Sequence, residues 1–64
     1  MKYYKQRFNP MKKLSEVQIE KEEIDKEEFH RLCETKEAYF ITHIRKEGTE
    51  EIEGHQVHIV DLLL

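Results

Sequence analysis

The chain has one cysteine, one proline and two glycines among 64 residues, and it has no tryptophan. A single thiol, Cys33, cannot form an intramolecular disulfide, so we predict a reducing compartment. Stability of so small a fold must then come from a structural metal or from self-association. The two glycines, Gly48 and Gly54, are too few for a glycine-rich loop that binds phosphate. Disulfide scaffolds and nucleotide-binding loops are therefore excluded.

Long hydrophobic runs are also absent. No apolar segment approaches the roughly 20 residues that a membrane helix needs, and residues 1–10 are basic without the apolar core of a signal peptide. These absences predict a soluble, cytoplasmic protein. A chain of 64 residues has little material for the walls of a catalytic cleft, so we predict that it is not an enzyme and uses no cofactor.

What the chain has in abundance is charge, which accounts for 39% of its residues and is unevenly distributed. Residues 1–13 contain five of the 11 basic residues and no acid, for a charge of +5. Residues 14–64 contain the other six basic residues and all 14 acids, for a charge of −8 and a total of −3. Such asymmetry indicates a charged partner rather than a particular fold.

The first half of the chain contains two short strand patterns. In residues 2–8, Tyr4, Gln6 and Phe8 alternate with more basic positions, which predicts an edge strand or a flexible arm that ends at the turn around Pro10. Val17 and Ile19 alternate with polar residues, which predicts a second strand that residues 21–23 interrupt.

The clearest element is a helix that starts after Asp25. The Asp25 carboxylate can accept amide protons of the first turn, and Glu28 three residues later completes a capping box. Ile24 and Phe29 are placed to form a hydrophobic staple across the cap. An apolar stripe then follows helical spacing; it consists of Phe29, Leu32, Cys33 and the stem of Lys36.

The second half reads as a β-hairpin. Residues 38–45 are apolar on both faces, which is typical of a central strand, and residues 55–64 form the last strand. A loop over about residues 47–51 pairs Tyr39 with Ile59, Ile41 with Val57 and His43 with His55, and it buries more apolar surface than a tighter turn. We therefore predict one α+β domain over residues 1–64, in the order β-β-α-β-β, with a small antiparallel sheet of three or four strands and one helix packed on one face.

One cysteine and three histidines are candidate zinc ligands. His30 and Cys33 lie three residues apart on the predicted helix, and His55 and His58 form a second pair, so together they resemble a set of four zinc ligands. Residues three apart on a strand point to opposite faces, however, so His55 and His58 cannot converge. We therefore predict no metal site, and a packed Cys33 without an activated thiolate.

The basic segment offers a second possibility. Cations bind phosphates and aromatic rings stack on bases, which together are the ingredients of a nucleic-acid-binding arm. Its residues are Lys2, Tyr3, Tyr4, Lys5, Arg7, Lys12 and Lys13. The acidic remainder of the chain would repel nucleic acid, so we hold this as an alternative, beside an edge strand whose lysines discourage aggregation.

The acidic run at residues 16–28 holds seven acids and two bases. It is either a solvated surface or a docking face for a basic protein, with Glu22, Glu23 and Glu27 as its contact residues. A compact acidic domain can also mimic DNA and block a DNA-binding protein, which is a further alternative.

The apolar residues near the C-terminus exceed what one core needs. Phe29, Leu32, Ile41, Val57 and Ile59 suffice for a helix packed on a sheet, so another set of side chains is left over; it comprises Val60, Leu62, Leu63 and Leu64. We predict that this surplus binds a partner, either a second copy paired through the terminal strand or a different protein. The leading hypothesis is thus a small non-catalytic regulator or inhibitor of a larger cytoplasmic factor, and the Lys-, Glu- and Ile-rich composition suits a low-GC bacterium or its phage.

Overall fold

The computed structural model describes residues 1–13 and 20–64. In this part of the chain, four strands and one helix follow the predicted order β-β-α-β-β. The fold is α+β, as predicted. The elements are β1 (Lys2–Phe8), β2 (Glu22–Ile24), α1 (Lys26–Cys33), β3 (Ala38–Arg45) and β4 (Ile52–Val60).

The sheet is mixed, and the prediction of an antiparallel sheet was wrong in this respect. Its strand order is β2-β1-β4-β3. β1 pairs with β2 and β4 with β3 in antiparallel fashion. β1 and β4 are parallel, from Lys2 opposite Gly54 to Phe8 opposite Val60. Alternation of polar and apolar residues indicates on which face of a strand a side chain lies. It does not indicate the direction of the neighbouring strand, so the parallel pairing of β1 and β4 could not be predicted.

β1 is an interior strand between β2 and β4, and not the edge strand or flexible arm that its composition suggested. Gly54 permits this position, because a Cβ atom there would lie 2.9 Å from the carbonyl oxygen of Lys2. A glycine at this point lets the two backbones approach closely. The basic segment is therefore built into the sheet.

The strand predicted around Val17 and Ile19 lies outside the described residues. The observed β2 occupies Glu22–Ile24 instead and overlaps residues 21–23, which were expected to interrupt a strand. Its acids are compensated across the strand pair, because Glu22 lies opposite Lys5 in the register of β1 and β2. Cross-strand pairs of opposite charge stabilise a strand whose own composition is unfavourable.

The helix begins as predicted at Asp25, whose Oδ1 accepts a hydrogen bond of 2.7 Å from the backbone N–H of Glu28. Glu27 and Glu28 occupy the first turn, where the helix dipole favours negative charge. The helix ends at Cys33, before the predicted stripe reaches Lys36. The Thr35 hydroxyl follows this end and donates a hydrogen bond of 2.8 Å to the Leu32 carbonyl.

The hairpin of β3 and β4 has the predicted register over its centre, with Ile41 opposite Val57 and His43 opposite His55. The prediction for Tyr39 was wrong, because a register shift between residues 38 and 40 places Ala38 opposite Ile59. β3 is also the outer strand of the sheet and not a central one. β3 is therefore apolar on both faces but, among the described residues, has a neighbouring strand along only one edge.

The hydrophobic core is small. Phe29 and Val57 are the only buried apolar side chains among the described residues. The Phe29 ring lies 4.9 Å from the ring of Tyr3, and Leu32 and Ile59 are half-buried. Ile41 was expected in this core but is 48% exposed, because the helix packs mainly on β1 and β4 and leaves the outer strand uncovered.

The last strand ends at Val60, four residues earlier than predicted. The prediction that residues 61–64 belong to this strand is therefore wrong. A turn replaces it, in which Leu64 N donates to the Asp61 carbonyl. β4 is flanked by β1 and β3, so both edges of the terminal strand are already paired within the chain.

Candidate protein-binding surface

Exposed apolar side chains gather at one end of the sheet, where β1 and β4 finish and β3 begins. Tyr39 is 68% exposed and Phe40 is 45% exposed. Leu62 is 65% exposed and Leu63 is 96% exposed. We refer to these four residues, together with the half-buried Phe8 beside them, as the apolar end. It brings together exposed apolar groups from two separate parts of the chain.

The aromatic half of the apolar end is held by ring contacts between three strands. The Phe8 ring lies 5.7 Å from the Tyr39 ring and 6.1 Å from the Phe40 ring, both in edge-to-face orientation. Phe40 also stacks on His58, with ring centroids 4.0 Å apart. Such pairs fix side-chain orientation beyond what area burial provides.

His58 anchors this cluster from the interior strand. Its Nε2 lies 3.1 Å from Oγ1 of Thr42, within hydrogen-bond distance. Burial lowers the pKa of His58, which favours the neutral form of its ring. A neutral imidazole can stack on Phe40 without bringing a charge into the apolar end.

The leucine half is positioned by Asn9, which is buried although it is polar. Its Nδ2 donates to the carbonyl of Leu64 at 3.0 Å and to that of Leu62 at 3.4 Å. Its Oδ1 accepts a bond of 2.9 Å from Met11 N. The residue that follows β1 thus fixes the C-terminal turn.

Asp61 fixes the same turn from within. Its backbone N–H donates to the Phe8 carbonyl at 2.8 Å, and its Oδ1 accepts a bond of 3.0 Å from Leu63 N. Its Oδ2 also lies 3.4 Å from Arg7 Nη1. The leucines are therefore displayed on an ordered turn and not on a fraying terminus.

The structure divides the predicted partner-binding residues. Leu62 and Leu63 are exposed in the apolar end, whereas Val60 and Leu64 are half-buried. Tyr39 and Phe40 were missed, because a segment that is apolar on both faces is typical of an interior strand. No local signal in residues 38–45 distinguishes such a strand from an outer one.

The predicted acidic face lies directly against the basic segment. Glu22 and Glu28 carboxylates lie 3.7 and 3.4 Å from the Lys5 ammonium group. A carboxylate oxygen of Glu23 lies 3.8 Å from the Lys2 ammonium group. Glu27 is exposed in the first turn of the helix. In the folded chain, these ion pairs therefore neutralise much of the charge asymmetry that the sequence shows.

The residues of the nucleic-acid alternative are correspondingly engaged. Besides the paired lysines, the Tyr3 ring packs on Phe29, and the Lys21 ammonium group lies 4.5 Å from the centroid of the Tyr4 ring. Lys12 and Lys13 are exposed beyond β1. The rings that were expected to stack on bases therefore already have intramolecular contacts.

The four candidate zinc ligands do not form one group. His30 and Cys33 lie on α1. His55 and His58 lie on opposite faces of β4, as their spacing predicts. Nδ1 of His55 lies 2.8 Å from Nδ1 of His43, but residues 1–13 and 20–64 contain no cluster of three or more metal-binding side chains. Burial and then the neighbouring Glu34 raise the pKa of Cys33, which is the opposite of thiolate activation.

No helix in the described ranges is long and apolar enough to cross a membrane. Comparisons with protein-family models, with curated proteins and with solved structures found no match.

Proposed function

We propose that the chain is a small, non-catalytic regulator or inhibitor that binds a larger cytoplasmic protein through its apolar end. The observation that carries the proposal is the exposure of Tyr39, Phe40, Leu62 and Leu63 at one end of the sheet. A contiguous exposed apolar patch on a small protein usually marks an interaction site. The matching partner surface is an apolar groove that accepts aromatic and leucine side chains.

The distribution of apolar residues supports this function. In the part of the chain that the structure describes, more large apolar side chains are exposed at the apolar end than are buried in the core, which holds Phe29 and Val57. A side chain retained on the surface contributes nothing to folding but contributes about 1.5–3 kcal/mol when an interface buries it. Leu62 and Leu63 are thus better explained by binding than by stability.

The rigidity of the surface supports the same proposal. Asn9 and Asp61 hold the C-terminal turn by hydrogen bonds, and Phe8 and His58 hold the aromatic rings. A preorganised surface loses less conformational entropy on association than a mobile tail would. This support for Leu62 and Leu63 distinguishes them from incidental exposed residues.

Affinity capture from the source cell's lysate tests the proposal when three baits are compared. They are the original chain, Leu63→Ser and Ile52→Ser. Ile52 is a matched control, because it is 43% exposed but lies at the opposite end of β4. We expect the original chain and Ile52→Ser to retain the same protein, and Leu63→Ser to lose it. A set of captured proteins that is identical for all three baits would contradict the proposal.

A further inference from the structure

The two outer edges of the sheet differ in a way that points to a partner for one of them. β2 has three residues, of which Glu22 and Glu23 are charged. β3 has eight residues, and its segment 38–44 contains no acid, lysine, arginine or proline. Short length, charge and proline are the usual means of protecting an exposed edge from pairing. Only the β2 edge is protected by its length and composition.

We propose that β3 pairs in antiparallel fashion with β3 of a second copy, so that two four-stranded sheets join into one sheet of eight strands. A twofold axis perpendicular to the sheet relates the copies and leaves each face on its own side. Residues that oppose each other must then share a face. The two such registers nearest the middle of β3 place Ile41 opposite Ile41 or Thr42 opposite Thr42.

Charge favours the register in which Ile41 lies opposite its own copy. Glu37 precedes β3, and the strand is irregular at Ala38–Phe40 and at Ile44–Arg45, so this register brings Glu37 near Arg45 of the second copy rather than directly opposite it. The same pair occurs twice, beside the contact of 3.6 Å between Arg45 and Glu50 within each copy. The alternative, with Thr42 opposite Thr42, would bring Glu37 level with Glu47 of the second copy. Opposite charges across a strand pair stabilise it and like charges destabilise it. The preferred register also lets Ile41, 48% exposed in one copy, pack against the other.

This pairing does not depend on the proposed protein-binding function. Because the paired strands run in opposite directions, the two apolar ends lie at opposite ends of the joined sheet. The leucines of the C-terminal turn follow β4 and not β3, so they stay accessible in both copies. A dimer of this form leaves Leu62 and Leu63 exposed in both copies, whereas Tyr39 and Phe40 lie in the paired strand, opposite His43 and Thr42 of the second copy.

Sedimentation velocity over a concentration series up to the millimolar range tests the pairing. We expect the original chain to be dimeric and Ile41→Lys to be monomeric, because two ammonium groups would face each other at the centre of the interface. Ile52→Lys is the matched control, since it makes the same substitution at a similarly exposed residue of β4, and we expect it to dimerise. A monomeric original chain, or a dimeric Ile41→Lys, would overturn the proposal.

Disulfide trapping tests the register. In a Cys33→Ser background, single cysteines at Ile41→Cys or Thr42→Cys are oxidised at equal concentration. Opposed Cα atoms of an antiparallel pair lie about 4.5–5.5 Å apart, within the range of about 4.4–6.8 Å that a disulfide spans. We expect a covalent dimer from Ile41→Cys and not from Thr42→Cys. The reverse pattern, or no covalent dimer from either, would overturn the proposed register.

The same variants separate the two proposals. Monomeric Ile41→Lys retains Leu62 and Leu63, so we expect it to capture the same partner as the original chain. Leu63→Ser is expected to remain dimeric while it loses that partner. An Ile41→Lys variant that stays dimeric therefore overturns the pairing alone, and a Leu63→Ser variant that keeps the partner overturns the binding surface alone.

Discussion

At the scale of single residues, Asn9 and His58 do more than their positions in the sequence suggest. Asn9 follows the first strand, yet its amide group holds the carbonyls of Leu62 and Leu64. His58 lies on the central strand, yet its ring supports the exposed Phe40. Neither role could be read from the sequence, because each depends on contacts between distant segments. Both residues support the apolar end from beneath.

Asn9→Asp tests the first role. The substitution keeps an oxygen that can accept from Met11 N, but it removes the donor and places a negative charge near two carbonyl oxygens. We expect the free energy of unfolding to fall by about 1–3 kcal/mol, measured by urea denaturation, because two part-buried acceptors lose their partner. An unchanged unfolding midpoint would contradict this role, and Asn9→Gln provides the control that keeps an amide.

The pH dependence of stability tests the second role. Burial lowers the pKa of His58, so the unfolded chain binds a proton at this position at higher pH than the folded chain does. Stability must then fall as the pH drops through about 6.5, the ordinary imidazole value. The loss continues until the pH reaches the lowered pKa of the folded state.

Thermal unfolding between neutral and mildly acidic pH measures this effect. His58→Gln removes the titrating group, so we expect a smaller decrease of the melting temperature with acidification than in the original chain. His30→Gln is the control, because it leaves the contact of His58 with Phe40 and Thr42 intact. Equal slopes for the original chain and His58→Gln would show that burial of His58 does not contribute.

At the scale of secondary structure elements, the helix and the hairpin were predicted correctly from neighbouring residues. The pairing between distant strands was not. The Asp25 cap and the helix start followed from residues within one turn, and the hairpin centre followed from matching Ile41 with Val57. The parallel pairing of β1 and β4 joins segments about 50 residues apart, a separation over which no local pattern carries information. The outer position of β3 depends on that same pairing.

Gly54 is the point where this distant pairing can be tested. A Cβ atom at Gly54 would lie 2.9 Å from backbone oxygen of Lys2, whereas a Cβ atom at Gly48 would meet nothing within 4 Å. Gly48 has a φ of 78°, so alanine there costs about 1–2 kcal/mol of backbone strain alone. We expect Gly54→Ala to cost at least as much, about 1–3 kcal/mol, by displacing β1.

Amide hydrogen exchange distinguishes the two glycine variants. We expect Gly54→Ala to lose protection along both β1 and β4, because the strands must separate where the new methyl group meets backbone. Gly48→Ala should lose protection only around the turn between β3 and β4. Loss confined to residues near Gly54, with β1 unaffected, would contradict the parallel pairing.

At the scale of the whole molecule, positive and negative charges lie closer together in the folded chain than their separation along the sequence suggests. The basic segment becomes an interior strand whose lysines face Glu22, Glu23 and Glu28. This arrangement weakens both alternatives that depend on separated charge, namely the nucleic-acid-binding arm and the acidic mimic of DNA. Exposed ion pairs contribute little stability, so their main consequence here is to neutralise part of the charge, which favours the exposed apolar end as the partner-binding surface.

The most direct test of this conclusion is the affinity for the captured partner, measured by titration calorimetry. We compare the original chain with the double variant Leu62→Ser and Leu63→Ser and with the control Ile52→Ser. Burial of each leucine is worth about 1.5–3 kcal/mol, and every 1.4 kcal/mol is about tenfold in Kd. We therefore expect the double variant to weaken binding by about a hundredfold or more, with the control unchanged. A double variant that binds as tightly as the original chain would contradict a partner-binding role for the apolar end.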